Sequence, residues 1–298
     1  MYHNFEEIVA NAKEIGPRKV AVLFPDDPDV MRAVKDGIKE GLIEPVLVGD
    51  RPRIESVAHE INLSLQDTEI LNQEDPQEAA DLCLDMVKTG KVAFVVKGNI
   101  LTTYLYRALI RTTKQLAPDQ APCTLCFHEA PGIDKIFIIT DPGVNILPDL
   151  TLKEKILVKA VNVLHGLGCG RPKVMVLAAY HGDESNTSSE RDAVALRQLA
   201  GEGRLGECEV LTAQNLYQAF PDRKVQTEDF PDIFLVPNIE TGNILVKAID
   251  HIVLGKRQGM TVGASVLSTP SRSDGYEVRM TNLALGLVLS TTARGDKS

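Results

Sequence analysis

No run of 18 apolar residues occurs in the 298-residue chain, so no helical membrane span is expected. Basic residues are in the minority: 32 Lys and Arg against 41 Asp and Glu leave a net charge of −9. That argues against a nucleic-acid surface, which needs clustered cations to meet phosphates. It leaves room for one small anion in a local basic pocket. The five cysteines, Cys83, Cys123, Cys126, Cys169 and Cys208, are odd in number and scattered, so no disulfide framework is expected. Cys123-Thr124-Leu125-Cys126 is a lone C-x-x-C in an apolar stretch after Pro122, and reads as buried reduced thiols. His3, His59, His128, His165, His181 and His251 form no metal-spaced group, so no metal is expected. The chain also lacks G-x-x-x-x-G-K-[ST], G-x-S-x-G and H-E-x-x-H, which removes a P-loop, a hydrolase elbow and a zinc-protease helix. Gly201 to Gly206 matches G-x-G-x-x-G by letter, but follows a helix where a dinucleotide site needs a strand. The acidic start, Met1 to Glu7, is unlike a secretory signal, and a cytoplasmic enzyme is the expectation.

What is present is a globular composition, 44% hydrophobic and 24% charged, with alternating strand and helix patterns. Apolar runs predict strands at 20–24, 44–48, 91–96, 136–140, 174–179, 232–236 and 260–267. Helical spacing predicts helices at 28–40, 75–89, 102–115, 152–165, 190–199, 242–254 and 278–289. Repeated βα units with unbroken apolar strands imply an α/β fold with a mainly parallel, helix-covered sheet. No repeat or low-complexity linker marks a boundary. Residues 117–122 are the best candidate for one crossover and residues 255–259 for a return.

Four polar loops follow strands and open helices. Pro270-Ser271-Arg272-Ser273-Asp274-Gly275-Tyr276-Glu277 carries a hydroxyl, a guanidinium and two carboxylates. A helix N-terminus there suits an anion, and Arg272 adds a fork of donors matching phosphate or carboxylate. Lys97-Gly98 leads to Thr102 and a helix bearing Arg107; Thr140-Asp141 leads through Asn145 to Asp149; Pro237-Asn238-Ile239-Glu240-Thr241-Gly242-Asn243 opens a helix bearing Lys247. Singly, each reads as an ordinary βα turn with a cap. Together, at the carboxyl ends of parallel strands, they can converge on one cleft, where open α/β sheets place ligands.

These loops carry a resemblance to a known family. Lys97-Gly98 with Thr102, Thr103 and Arg107-Ala108, Thr140-Asp141 with Asn145-Ile146 and Pro148-Asp149-Leu150, Val236-Pro237-Asn238-Ile239-Glu240 with Gly242-Asn243, and Ser271-Arg272-Ser273-Asp274 with Glu277 stand in order along the chain. In this the chain resembles the phosphate acetyl/butyryltransferases, most closely the phosphate butyryltransferase branch. The resemblance implies two α/β domains flanking a cleft, like isocitrate and isopropylmalate dehydrogenases, with one domain at 1–126 plus 261–298 and the other at 127–260. It implies exchange of coenzyme A and phosphate on a short-chain acyl group, a butyryl-like group favoured over acetyl. The substrates would be CoA, acyl phosphate and inorganic phosphate. No tightly bound cofactor, nucleic acid or membrane is expected, and a homodimer or higher homo-oligomer is.

Ser271 is then the donor to the tetrahedral oxyanion, Arg272 the phosphate clamp, and Asp274 or Glu277 the base that makes a thiolate of CoA. Lys97, Thr102, Arg107, Asp141, Asn145, Asn238, Glu240 and Asn243 are the candidate substrate contacts. The chain departs from the family at Gly275, where the branch has Ser, around Leu211–Leu216, and at Val278, where the acetyl branch has its acid. The rival readings are an NAD-dependent dehydrogenase of a phosphorylated substrate on the same fold, and a catalytically silent CoA- or acyl-binding paralogue.

Overall fold

A computed structural model describes residues 2–179, 187–212, 215–220 and 227–294. His181, Ala213 and Gln214 lie outside the described residues. The chain divides into two compact units: residues 6–118 with 258–298 form the first, residues 1–5 with 119–257 the middle one.

The first unit opens with α1 (Phe5–Ile15), β1 (Arg18–Leu23), α2 (Pro28–Lys39), β2 (Ile43–Gly49), α3 (Arg51–Glu60), β3 (Glu69–Asn72), α4 (Pro76–Lys88), β4 (Val95–Lys97) and α5 (Thr102–Leu116). Val20, Ala21, Val22 and Leu23 are all fully buried, as a strand covered on both faces requires. Helices α2, α3 and α4 each begin behind an aspartate, Asp27, Asp50 or Asp75, whose carboxylate accepts from first-turn N–H groups, with a proline in the first turn.

The middle unit contains β5 (Cys123–Glu129), β6 (Phe137–Thr140), α6 (Leu150–Gly166), β7 (Lys173–Val176), α7 (Ser188–Gly201), β8 (Glu209–Val210), α8 (Leu216–Ala219), β9 (Ile233–Leu235) and α9 (Ile239–Ala248). Its strand order is β5-β6-β9-β7-β8, with β5 antiparallel to β6 and the other pairs parallel. Phe137 meets Phe230 and Phe234 edge-on, at ring-centre distances of 5.0 and 5.7 Å, in its core. The helix expected over 242–254 leaves α geometry after Ala248, where Ile249–Val253 winds as a π turn.

The chain returns to the first unit through β10 (Lys256–Val262), β11 (Val266–Ser268) and α10 (Tyr276–Arg294). The order there is β3-β2-β1-β4-β11-β10. The single strand expected over 260–267 is instead a hairpin, with Met260 opposite Ser268 and Val262 opposite Val266. Gly263 is the pivot: its N–H donates to the Ser265 carbonyl at 3.0 Å, and a Cβ there would lie 2.7 Å from the Thr113 hydroxyl oxygen. The reversal matters for the site. It turns β11 parallel to β4, so the chain leaves β11 at the edge where β1 and β4 also end. Helix α10 then runs through the unit's interior, with residues 283–289 buried. Its leucines there contribute about 1.5–3 kcal/mol each. Gly286 lets α10 press on Phe94, since a Cβ would fall 2.5 Å from the ring. No described helix is long and apolar enough to cross a membrane.

Candidate active site

The registers Leu23 opposite Lys97 and Ser268 opposite Val96 bring three loops of the first unit to one edge: 24–27, 98–101 and 269–275. Gly98 is obligatory in this packing. Its N–H donates to the Leu23 carbonyl at 2.8 Å, and a Cβ would sit 2.1 Å from the Phe24 carbonyl oxygen. The close approach carries Lys97 inward, where it is 1% exposed. Its ammonium donates to the carbonyls of Gly98 (3.4 Å) and Pro270 (3.3 Å), so it reaches under the residue that precedes Ser271. Burial, then the Arg279 and Arg272 guanidinium groups, lower its pKa to about 8, while Asp274 opposes them.

The Ser271 loop is held by a reciprocal pair. The Asp274 carboxylate accepts from the Ser271 N–H at 2.7 Å, and the Asp274 N–H donates to the Ser271 carbonyl at 3.1 Å. Arg272 is exposed, and Glu277 lies exposed in the first turn of α10. Thus Lys97, Ser271, Arg272 and Asp274 are brought together.

Arg279 was missed by sequence reasoning. It is 6% exposed, and its Nε and Nη1 have no hydrogen-bond partner among the described residues. It stands four residues before Leu283 and seven before Gly286, on the buried stripe of α10; that spacing was the available signal. Thr102 begins α5, whose N-cap position is taken by Leu101 without a side-chain cap, and Arg107 is exposed further along that helix.

In the middle unit, Asp141 is 2% exposed and taken up by its own loop. Its two oxygens accept from the backbone N–H groups of Thr124, Gly143, Val144 and Asn145 at 2.9 to 3.1 Å, and from the Asn145 amide at 2.6 Å. Burial raises its pKa against the pull of those N–H groups. The Asn145 amide also donates to the Pro122 carbonyl at 2.9 Å. Asn238 caps α9, accepting from the Thr241 N–H at 2.9 Å, while Glu240 and Asn243 are exposed on that helix. Cys123 and Cys126 lie inside β5, where burial raises both thiols, Cys126 to about 12. Among the described residues no three His, Cys, Asp or Glu side chains are grouped to hold a metal ion.

A family model described as phosphate acetyl/butaryl transferase matches residues 4–85 and 77–265. The chain belongs to that family. A phosphate butyryltransferase of Clostridium acetobutylicum is 30% identical over 298 residues, 97% of this chain and 99% of that protein. A phosphate acetyltransferase of Rickettsia felis is 28% identical over 95% of this chain and 83% of its own length. Among solved structures, a branched-chain phosphotransacylase of Enterococcus faecalis superposes with a TM-score of 0.76 at 22% identity. The match covers 91% of this chain and 98% of that one, and shows a common fold. For this phosphate acyltransferase, then, the buried cations under the Ser271 loop require a chemical account.

Proposed function

We propose that this phosphate acyltransferase exchanges CoA and phosphate on short-chain acyl groups: acyl-CoA and phosphate give acyl phosphate and CoA. Lys97 carries the reading. A lysine buried at the end of a strand, bonded to the residue preceding a Ser-Arg-x-Asp loop, is an arrangement for holding an anion beside a reacting carbonyl. In this reading Arg272 grips the attacking phosphate through two parallel N–H donors. Ser271 donates to the oxygen that becomes negative when phosphate adds to the thioester carbonyl. Collapse of that adduct expels CoA as thiolate. In the reverse direction a carboxylate removes the thiol proton of CoA. Asp274 is the better placed of the two acids, because it is fixed against Ser271, whereas Glu277 stands in solvent.

Thr102 and Arg107 on the first unit, and Asn145, Asn238, Glu240 and Asn243 on the middle one, are further substrate contacts in this reading. Asp141 acts through its loop. We extend the reading to a butyryl-like acyl preference, the isocitrate dehydrogenase type of two-domain fold with domains at 1–126 plus 261–298 and 127–260, a cytoplasmic setting and a homo-oligomer. Exposed Ile146, Leu147, Ile244, Ile252 and Leu254 on the middle unit support the last. The test is thioester formation from CoA and a series of acyl phosphates, acetyl to branched butyryl. Turnover with a higher kcat/KM for butyryl than acetyl is expected. No turnover with any member overturns the reaction, and an acetyl preference overturns the acyl assignment.

A further inference from the structure

Beneath the Ser271 loop lies a cavity that no substrate role yet explains. Its volume is about 10 Å³, room for about one water or one oxygen of an oxyanion. Lys97, Ser268, Pro270 and Arg279 line it, with Val30, Val34 and Leu283 closing the remainder. Three of these side chains bear donors, and two of those are unanswered. Among the described residues the Ser268 hydroxyl, fully buried, has no hydrogen-bond partner, and neither do Nε and Nη1 of Arg279. Lys97 donates to two neutral carbonyls, and Asp274 offsets part of its charge. The Asp27, Asp274 and Asp29 carboxylates stand near enough to Arg279 to offset part of its charge, yet its Nε and Nη1 stay unmet among the described residues.

Buried donors left without acceptors cost about 1–3 kcal/mol each, and more when charged. Two buried cations that nearby carboxylates offset only in part, with donors left unmet, are therefore a standing destabilisation unless something negative enters. Helix α10 has no need of an arginine at this point: neighbouring positions on the same face, Leu283 and Gly286, are apolar. We infer that Lys97, Arg279 and Ser268 form a buried oxyanion subsite that receives one oxygen of inorganic phosphate, the phosphate that Arg272 holds from the loop above.

The inference rests on the proposed function and deepens it, by naming which phosphate is read. A cavity of this size takes one oxygen and leaves the rest of the phosphate to Arg272 in the loop above, beside the carbonyl it attacks.

The test compares wild type with Arg279→Met and Arg279→Lys. In acyl-CoA phosphorolysis, Arg279→Met should raise KM for phosphate by about tenfold or more, leave KM for acyl-CoA within about twofold, and be largely rescued by Arg279→Lys. Equal changes in both KM values, or none, overturn the subsite while the reaction itself stands. Thermal unfolding with inorganic phosphate, and separately with CoA, tests binding without turnover. Phosphate should raise the wild-type midpoint and fail to raise that of Arg279→Met, whereas CoA should stabilise both alike. Should no acyl-CoA be turned over, that pattern upholds the subsite and discards the acyl-transfer reading. A phosphate shift retained in Arg279→Met overturns the subsite. In phosphate-free buffer Arg279→Met should unfold no lower than wild type; a lower midpoint would show Arg279 to be a structural residue and count against the inference.

Discussion

Raising the pH from 8 to 10.5 should strengthen the first unit while weakening its hold on phosphate, and Lys97 is the reason. Its ammonium loses a proton at about 8 in the folded chain, against an ordinary value of 10.5. Between those limits the unfolded chain binds the additional proton, so stability rises with pH. At about 1.4 kcal/mol per pH unit the interval is worth about 3 kcal/mol. Below pH 8 the whole cost is present; above 10.5 it is gone. The direction is unusual for a lysine, whose loss of charge more often breaks an ion pair. The assay is thermal unfolding of wild type and Lys97→Met in phosphate-free buffers across this range. Tyrosines and other lysines titrate in both proteins and cancel in the difference. The Lys97→Met chain should start more stable, and the two should converge by pH 10.5. Saturating phosphate should shrink the convergence, because a bound anion keeps the proton on Lys97. Curves that run parallel would show that Lys97 is not titrating in a buried site, and would refute the reasoning.

Three further outcomes are expected. Asp141→Ala strands four backbone N–H groups and the Asn145 amide, and should cost at least about 3 kcal/mol by urea unfolding, with Asp141→Asn in between. His128 is fully buried, and burial lowers its pKa from 6.5 to about 4. Here too the folded form is the poorer proton binder, so stability falls as pH drops from 6.5 to 4. The loss is about 3 kcal/mol, and it should be absent from the pH profile of His128→Leu. Gly98→Ala places a Cβ against the Phe24 and Leu23 carbonyls, at 2.1 and 2.5 Å, where backbone must move. It should lower the unfolding midpoint by more than any exposed glycine substitution and abolish turnover through Lys97.

Much of the scaffold was legible because its signals are local. Asp27-Pro28 and Asp75-Pro76 announce helices through cap and first turn, and the aspartates do accept the N–H groups so implied. β5 was not read as a strand: Cys-Thr-Leu-Cys-Phe-His-Glu mixes polar and apolar residues at a position buried on both faces. The strand expected over 260–267 hid a hairpin because Gly263-Ala264 sit inside an apolar run, and only pairing with a partner strand reveals the reversal. At the site, Ser271, Arg272 and Asp274 stand in a polar loop and Lys97 ends a strand just before another, where chemistry is looked for first. Arg279 and Ser268 are inside a helix and a strand that read as core. A charge among apolar residues looks like a solvated face until the helix's orientation is known. Asp141 also stands in a polar loop, and that its carboxylate accepts from the loop's own N–H groups is visible only once the turn is built.

The pairing of β4 with β11 sets an order of assembly. Lys97 and Pro270 meet across 173 positions, and every contact of α2 with α10 waits on the same stretch. Loop closure over such a distance is slow, and compact segments made of nearer contacts form ahead of it. As the chain is synthesised, residues 119–257 can collapse while residues 6–118 still lack two strands and their buried helix. A fragment that stops before 258 therefore holds Lys97 on an open strand edge and lacks Ser271, Arg272 and Arg279 altogether. The proposed acyl-transfer centre comes into being last, with residues 258–298, so an incomplete chain has no half-active form.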